Sequence, residues 1–140
     1  MKRTPVLPPE ECFDALYGMK ITKLSPDEMR AECPVRNAVK QPMGLVHGGV
    51  FASMAESMTS WGTGLGAPDD HMVMGQSNQT SFLRPITEGT IHAVATPRHR
   101  GRTTWVWEVE ITDDEGRLCA LVRMTIAIRP TRAAAPGGAG

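Results

Sequence analysis

A proline-free stretch from Val46 to Gly66 constrains this chain most. It holds small and apolar residues for about five helical turns, and Val50, Met54, Met58 and Trp61 recur at helical spacing. Gly62, Gly64 and Gly66 weaken its end, and Pro68-Asp69-Asp70 closes it. The spacing predicts one long, largely buried helix. Between Gln41 and Pro68 the only formal charge is Glu56, in the middle of that helix.

The flanking segments are strand-like. Pro8-Pro9-Glu10-Glu11 before Cys12, Leu16 and Met19 reads as a short helix with an acidic start. Lys20 to Leu24 and Met29 to Val35 read as strands joined by Ser25-Pro26-Asp27-Glu28, and Arg36 to Leu45 as a loop. Further strands are expected over Met72–Leu83, Thr90–Arg98, Thr103–Ile111 and Arg117–Arg129. Trp105, Trp107, Val109 and Ile111 alternate with Glu108 and Glu110, and Asp113-Asp114-Glu115-Gly116 is a hairpin turn. An α+β fold follows, with an antiparallel sheet wrapped around one apolar helix.

Composition narrows the function classes. Lys plus Arg and Asp plus Glu are 15 each, so no basic excess points to nucleic acid. Zero net charge with 41% apolar content suits a chain that buries surface against copies of itself. Three cysteines without a CxxC spacing fit neither a disulfide framework nor a zinc site. No apolar run approaches bilayer length, and prolines and glutamates interrupt what would follow a Met-Lys-Arg leader. The expectation is a soluble, cytoplasmic, single domain over residues 1–132. Its tail, 133–140, holds only Ala, Pro and Gly and reads as disordered.

Chemistry concentrates on the long helix. A lone carboxylate on an apolar helix is costly to bury without a partner or a function; the bland alternative places Glu56 on the solvent face. Its polar neighbours Ser53, Ser57, Thr59 and Ser60 are short, unlike those of a solvated face. The expectation is therefore a carboxylate in a dry cleft. His47-Gly48-Gly49 opens the helix, where the first N–H groups lack intrahelical partners and can polarise a carbonyl. Gly48 and Glu56 are slightly over two turns apart, and Ser60 follows one turn on. The alternative for Gly48-Gly49 is close helix–sheet packing. His71, His92 and His99 are scattered. Arg98, Arg100 and Arg102, with Arg84, Arg129 and Arg132, are either solvated strand ends or phosphate ligands.

The segment Gln41-Pro42-Met43-Gly44-Leu45-Val46-His47-Gly48-Gly49, with Glu56 and Ser60, resembles the active-site segment of hot-dog acyl-CoA thioesterases. Gly75-Gln76-Ser77-Asn78, Thr80-Ser81-Phe82, Arg84-Pro85, Thr103-Thr104-Trp105, Gly116-Arg117-Leu118-Cys119-Ala120 and Arg129-Pro130 resemble the 4-hydroxybenzoyl-CoA branch with a helix-borne glutamate. The resemblance covers about residues 30 to 132. It implies the hot-dog fold, with Glu56 as nucleophile or general base and the Gly48 N–H as donor to the thioester carbonyl. Gln41 would sit beside that carbonyl, His47 would orient the loop, and Ser60 would stand where the branch has a threonine. Arg84, Thr103 and Arg132 would contact the CoA nucleotide. Arg102 replaces a serine there and could add a phosphate contact.

Aromatic acyl-CoA hydrolysis without metal or cofactor, insensitive to EDTA, is then the expected activity, in a setting such as aromatic degradation. The expected partners are the acyl-CoA and other copies of the chain, in a tetramer built as a dimer of dimers with shared active sites; nucleic acid and membrane are not expected. A non-catalytic acyl-CoA-binding module is the alternative, and a hydratase ranks last because His47 is not placed for it.

Overall fold

The computed structural model describes residues 4–132; the expected tail over 133–140 lies outside the described residues. A 3-10 turn at Pro9–Glu11 and helix α1 (Phe13–Tyr17) precede strands β1 (Lys20–Lys23) and β2 (Met29–Pro34). Helix α2 (Gly48–Gly66) follows, then β3 (His71–Phe82), β4 (Thr90–Arg100), β5 (Thr104–Thr112) and β6 (Leu118–Pro130). The strands form one antiparallel sheet in the order β1-β2-β4-β5-β6-β3. Consequently β3, which follows α2 in sequence, crosses to the far edge beside β6. No helix among the described residues is long and apolar enough to cross a membrane.

The helix buries one face on the sheet. Val50, Phe51, Met54, Ala55, Met58, Thr59, Gly62 and Thr63 form that face, two adjacent residues per turn. Trp61 falls outside the stripe: it is 46% exposed, a correction to its expected place beside Met58. Gly62 takes the core position because a Cβ there would lie 2.7 Å from the Trp107 ring, and Trp105 crowds Gly66 one turn on. The glycines that look like helix weakeners are seats for two tryptophans whose centroids are 6.0 Å apart.

Trp107 also fixes a polar contact in the core. Its Nε1–H donates to Thr63 Oγ1 at 2.8 Å, and the Thr63 hydroxyl donates to the Thr59 carbonyl at 2.8 Å. Along β6, Ala120, Val122, Met124, Ile126 and Ile128 are buried as their alternation predicts, whereas Leu118 is partly exposed at the strand's start. The N-terminal segment forms a shorter helix than expected, because Gly18 at φ 93° ends α1 after Tyr17. The expected loop at 36–45 contains a 3-10 turn, Asn37–Val39, and a bridge from Lys40 to Val46.

The β5–β6 turn is organised by Asp113. Its Oδ1 accepts from the N–H of Glu115 and of Arg117, and its Oδ2 from Arg117 Nε at 2.7 Å. Burial alone would raise this carboxyl, but those hydrogen bonds outweigh it and hold it below the usual carboxylate range. A depressed carboxyl stabilises the fold above its unfolded value, near 3.9, and loses that contribution as pH falls through its folded value. Asp113→Asn should therefore lower Tm at pH 7, with the deficit closing as pH drops below about 4. Separately, Thr63→Val leaves the buried Trp107 N–H unpaired and should cost about 1–3 kcal/mol in urea unfolding, while Thr63→Ser retains most stability.

Candidate active site

Strand β3 runs alongside α2, and its irregularity creates the site. The β3–β6 register shifts between Gly75 and Ser77, which inverts the side-chain alternation of the strand. Before the bulge, Val73 and Gly75 face the helix, against Gly64 and Glu56. Beyond it, Asn78 and Phe82 face the helix, against Ala52 and Gly48. The absent side chain at Gly75 makes room for the acid: a Cβ there would lie 3.3 Å from Glu56 Oε1.

Glu56 lines a cleft of about 630 Å³ together with Ser53, Ser57 and Ser60. Phe13, Trp61, Leu65, Met72 and Val73 supply its apolar walls. In the single chain Glu56 is exposed, so the expectation of a dry cleft is not met by one copy alone. The Ser60 hydroxyl has no hydrogen-bond partner among the described residues. The hydroxyls of Thr59 and Thr63, by contrast, are tied to helix carbonyls. Ser60 is thus free to bond a ligand or the carboxylate one turn back.

The leading end of α2 is ordered around His47, its N-cap. His47 Nδ1 accepts from the Gly49 N–H at 2.8 Å, which requires an unprotonated Nδ1. The Val50 N–H donates to the His47 carbonyl. The Gly48 N–H is left as the donor without a partner among the described residues. Gly48 also has a packing reason: a Cβ there would lie 2.6 Å from the Phe82 ring. The packing reading of the glycine pair is thus met at Gly48, while Gly49 lies against the His47 ring. Gln41 closes the preceding loop, with its carbonyl accepting from Gly44 N–H at 2.9 Å and its Oε1 from Met43 N–H. Gln41, His47 and Gly48 do not line the cleft that holds Glu56 and Ser60.

The four residues expected around the CoA phosphates do not converge within one chain. The Arg84 N–H donates to the Cys119 carbonyl, while the Ile128 N–H donates to the Thr103 carbonyl. These anchor points are nine residues apart on β6, or about 30 Å. Arg102, exposed, precedes Thr103 in the β4–β5 turn, and Arg132, also exposed, follows β6; both lie at the Thr103 end. Among the described residues no cluster of His, Cys, Asp and Glu could hold a metal.

Sequence reasoning gave no site role to Gly75, Asn78, Ser57 or Phe13. The broken alternation across Met74-Gly75-Gln76-Ser77 was the available signal for the bulge. Asn78 Nδ2 donates to the Ala52 carbonyl at 3.0 Å, and Thr80 Oγ1 donates to Asn78 Oδ1 at 2.7 Å. This pair ties the edge strand to the helix turn that precedes Glu56.

Comparison with known proteins identifies the family. The thioesterase superfamily model matches residues 43–120. Rv1847 of Mycobacterium tuberculosis, a candidate esterase, is 41% identical over 113 residues, 77% of this chain and 79% of that protein. Its solved structure superposes with a TM-score of 0.80 at 37% identity, covering 86% and 98% of the two chains. The proofreading thioesterase EntH of Cronobacter turicensis is 35% identical over 111 residues, 79% of this chain and 81% of that one. The thioesterase SAV0944 of Staphylococcus aureus has a TM-score of 0.80 at 27% identity, covering 84% and 98%. Its solved structures include one with Ala replacing a glutamate and one with Ala replacing a glutamine, at positions fifteen residues apart.

The chain belongs to the thioesterase superfamily, has its hot-dog fold, and is an enzyme of the thioester-hydrolase class. Gly75→Ala should push the Glu56 carboxylate by a few tenths of an ångström. If Glu56 is the reacting group, thioester hydrolysis should then fall roughly tenfold with Tm little changed, since small misplacements of such a group are costly.

Proposed function

We propose that this chain hydrolyses an aromatic acyl-CoA, of the 4-hydroxybenzoyl-CoA kind, to the free acid and CoA. The observation that carries this reading is the cleft in which Glu56 and Ser60 face walls made by Phe13 and Trp61. A flat apolar acyl group fits between such rings, and its carbonyl carbon meets the only charge on the helix. Gln41 and Glu56 also stand fifteen residues apart, the spacing of the two positions substituted in SAV0944.

Two routes use the same groups. Glu56 attacks the carbonyl carbon, the C–S bond breaks, and CoA leaves as the thiolate; water then opens the anhydride. Alternatively, Glu56 takes a proton from water, which attacks directly, and the proton passes to the departing sulfur. In both, the Gly48 N–H stabilises the oxyanion, Gln41 flanks the carbonyl, His47 holds the amide array, and Ser60 bonds the carboxylate or the water.

Helix geometry argues that two copies build each site. Eight residues separate Gly48 from Glu56, about 12 Å along the axis. Reacting atoms must come within about 3–3.5 Å. A glutamate side chain leans back toward the helix start, but not across that span. The Gly48 N–H, with Gln41, therefore serves a carbonyl attacked by the Glu56 of a second copy. The separation of Arg84 from Arg102, Thr103 and Arg132 favours the same arrangement, since the CoA phosphates meet both groups only between copies. The free β3 edge, with exposed Met72 and Met74, offers the unpaired backbone for the first pairing. A tetramer, as a dimer of dimers, completes the proposal.

Removing the reacting group tests the chemistry. Glu56→Ala should lower kcat by about three to four orders of magnitude while CoA-thioester binding survives. Retained turnover would end the assignment. Binding without thiol release by the unaltered protein, across aryl and aliphatic thioesters, would favour the non-catalytic module instead.

A further inference from the structure

Helix α1 places its first residue, Phe13, in the wall of the cleft. Phe13 is 60% exposed, yet it stands in the cleft wall with Ser57 and Trp61. Its ring also packs on Tyr17, with centroids 5.0 Å apart. Leu16, on the outer side, is 74% exposed, so the sheet does not hold α1 along its length.

Polar contacts hold it, together with the burial of Tyr17. Asp14 Oδ1 accepts from Ser57 Oγ at 2.7 Å and from the Tyr17 hydroxyl at 2.9 Å. Tyr17 is itself buried, and burial followed by the Asp14 charge pushes its hydroxyl well above the usual tyrosine value. It therefore remains a donor at every working pH. The far end is fixed where Arg36 Nη2 donates to the Leu16 carbonyl at 2.8 Å, and Gly18 at φ 93° turns the chain into β1. The segment is thus anchored at Tyr17 and clasped at Asp14, with Phe13 carried beyond the clasp. The clasp lands on Ser57, the residue that follows Glu56.

We propose that α1 is an acyl-binding flap: Phe13 contacts the acyl group, and Asp14, through Ser57, is the positioning residue that sets this wall and thereby the preference for aryl over straight-chain thioesters. The inference rests on the acyl-CoA reading above and extends it to a specificity element. Among the described residues one hydrogen bond joins α1 to α2; it fixes the width of the slot, so its loss widens the slot without touching the reacting carboxylate.

The test uses the full chain, with benzoyl-CoA and hexanoyl-CoA as probes. Ser57→Ala and Phe13→Ala should each lower the benzoyl-to-hexanoyl ratio of kcat/KM by about tenfold. The loss should appear in KM, with kcat for benzoyl-CoA held within about threefold. The double variant should be no worse than Phe13→Ala, because Ser57 acts through that ring. Asp14→Ala should copy Ser57→Ala, and Ser57→Thr should restore the ratio. An unchanged ratio, equal losses for both substrates, or multiplying losses in the double variant would overturn the flap. Benzoyl-CoA Kd in the Glu56→Ala background keeps the two readings apart: the flap requires Ser57→Ala to weaken Kd about tenfold there too. Absence of thiol release by the unaltered protein counts against hydrolysis alone.

Discussion

The fit of Trp105 and Trp107 against Gly66 and Gly62 is the contact on which the rest depends. Two large rings on one strand meet two missing side chains on one helix, spaced by a turn. That match sets how closely α2 lies on the sheet and which of its faces turns inward. The Thr63–Trp107 hydrogen bond locks the rotation, because a slipped helix would leave a buried indole N–H unpaired. With the rotation fixed, Glu56 emerges beside β3 and over Gly75. The placement of the carboxylate is therefore a result of core packing on the opposite face of its own helix.

Much of this was legible beforehand, and the reasons are physical. Alternation in β5 and β6 is strong because one face is apolar and the other is not, so faces and approximate ends could be read from Trp105 to Ile111 and from Ala120 to Ile128. The helix showed in its proline-free run, and Glu56 in its solitude. What could not be read depended on contacts between distant segments. Trp61 shares the apolar character of its neighbours but falls outside the buried stripe, where Gly62 has the packing role. Gly75 looks like any strand glycine until the acid opposite it is known. The Asp14–Ser57 clasp joins residues 43 apart in sequence, and no local pattern announces it.

The residues expected at the CoA phosphates illustrate a further boundary of sequence reading. Arg84, Arg102, Thr103 and Arg132 share a chemistry, and a linear reading gathers them naturally. The register of β6 separates them by most of the sheet's length. The same holds for Gly48 and Glu56, which share one face of a helix without sharing a reach. Residue types can be gathered from a sequence, but the distances that separate them within one chain become visible only in coordinates.

The bulge in β3 gives the strand a parity. Residues before it present odd-numbered side chains to the helix and residues after it present even-numbered ones. A one-residue loss at Gln76 would restore a regular ladder with the phase intact, because Ser77 already pairs with Thr125 between Gly75 opposite Ile126 and Asn78 opposite Met124; a one-residue loss elsewhere in the strand sends the residues on one side of it to the wrong face. Length changes in this strand are therefore governed by arithmetic rather than by exposure: although β3 lies at an open edge, away from Gln76 it should tolerate residues added or removed in twos far better than singly, and at Gln76 the reverse.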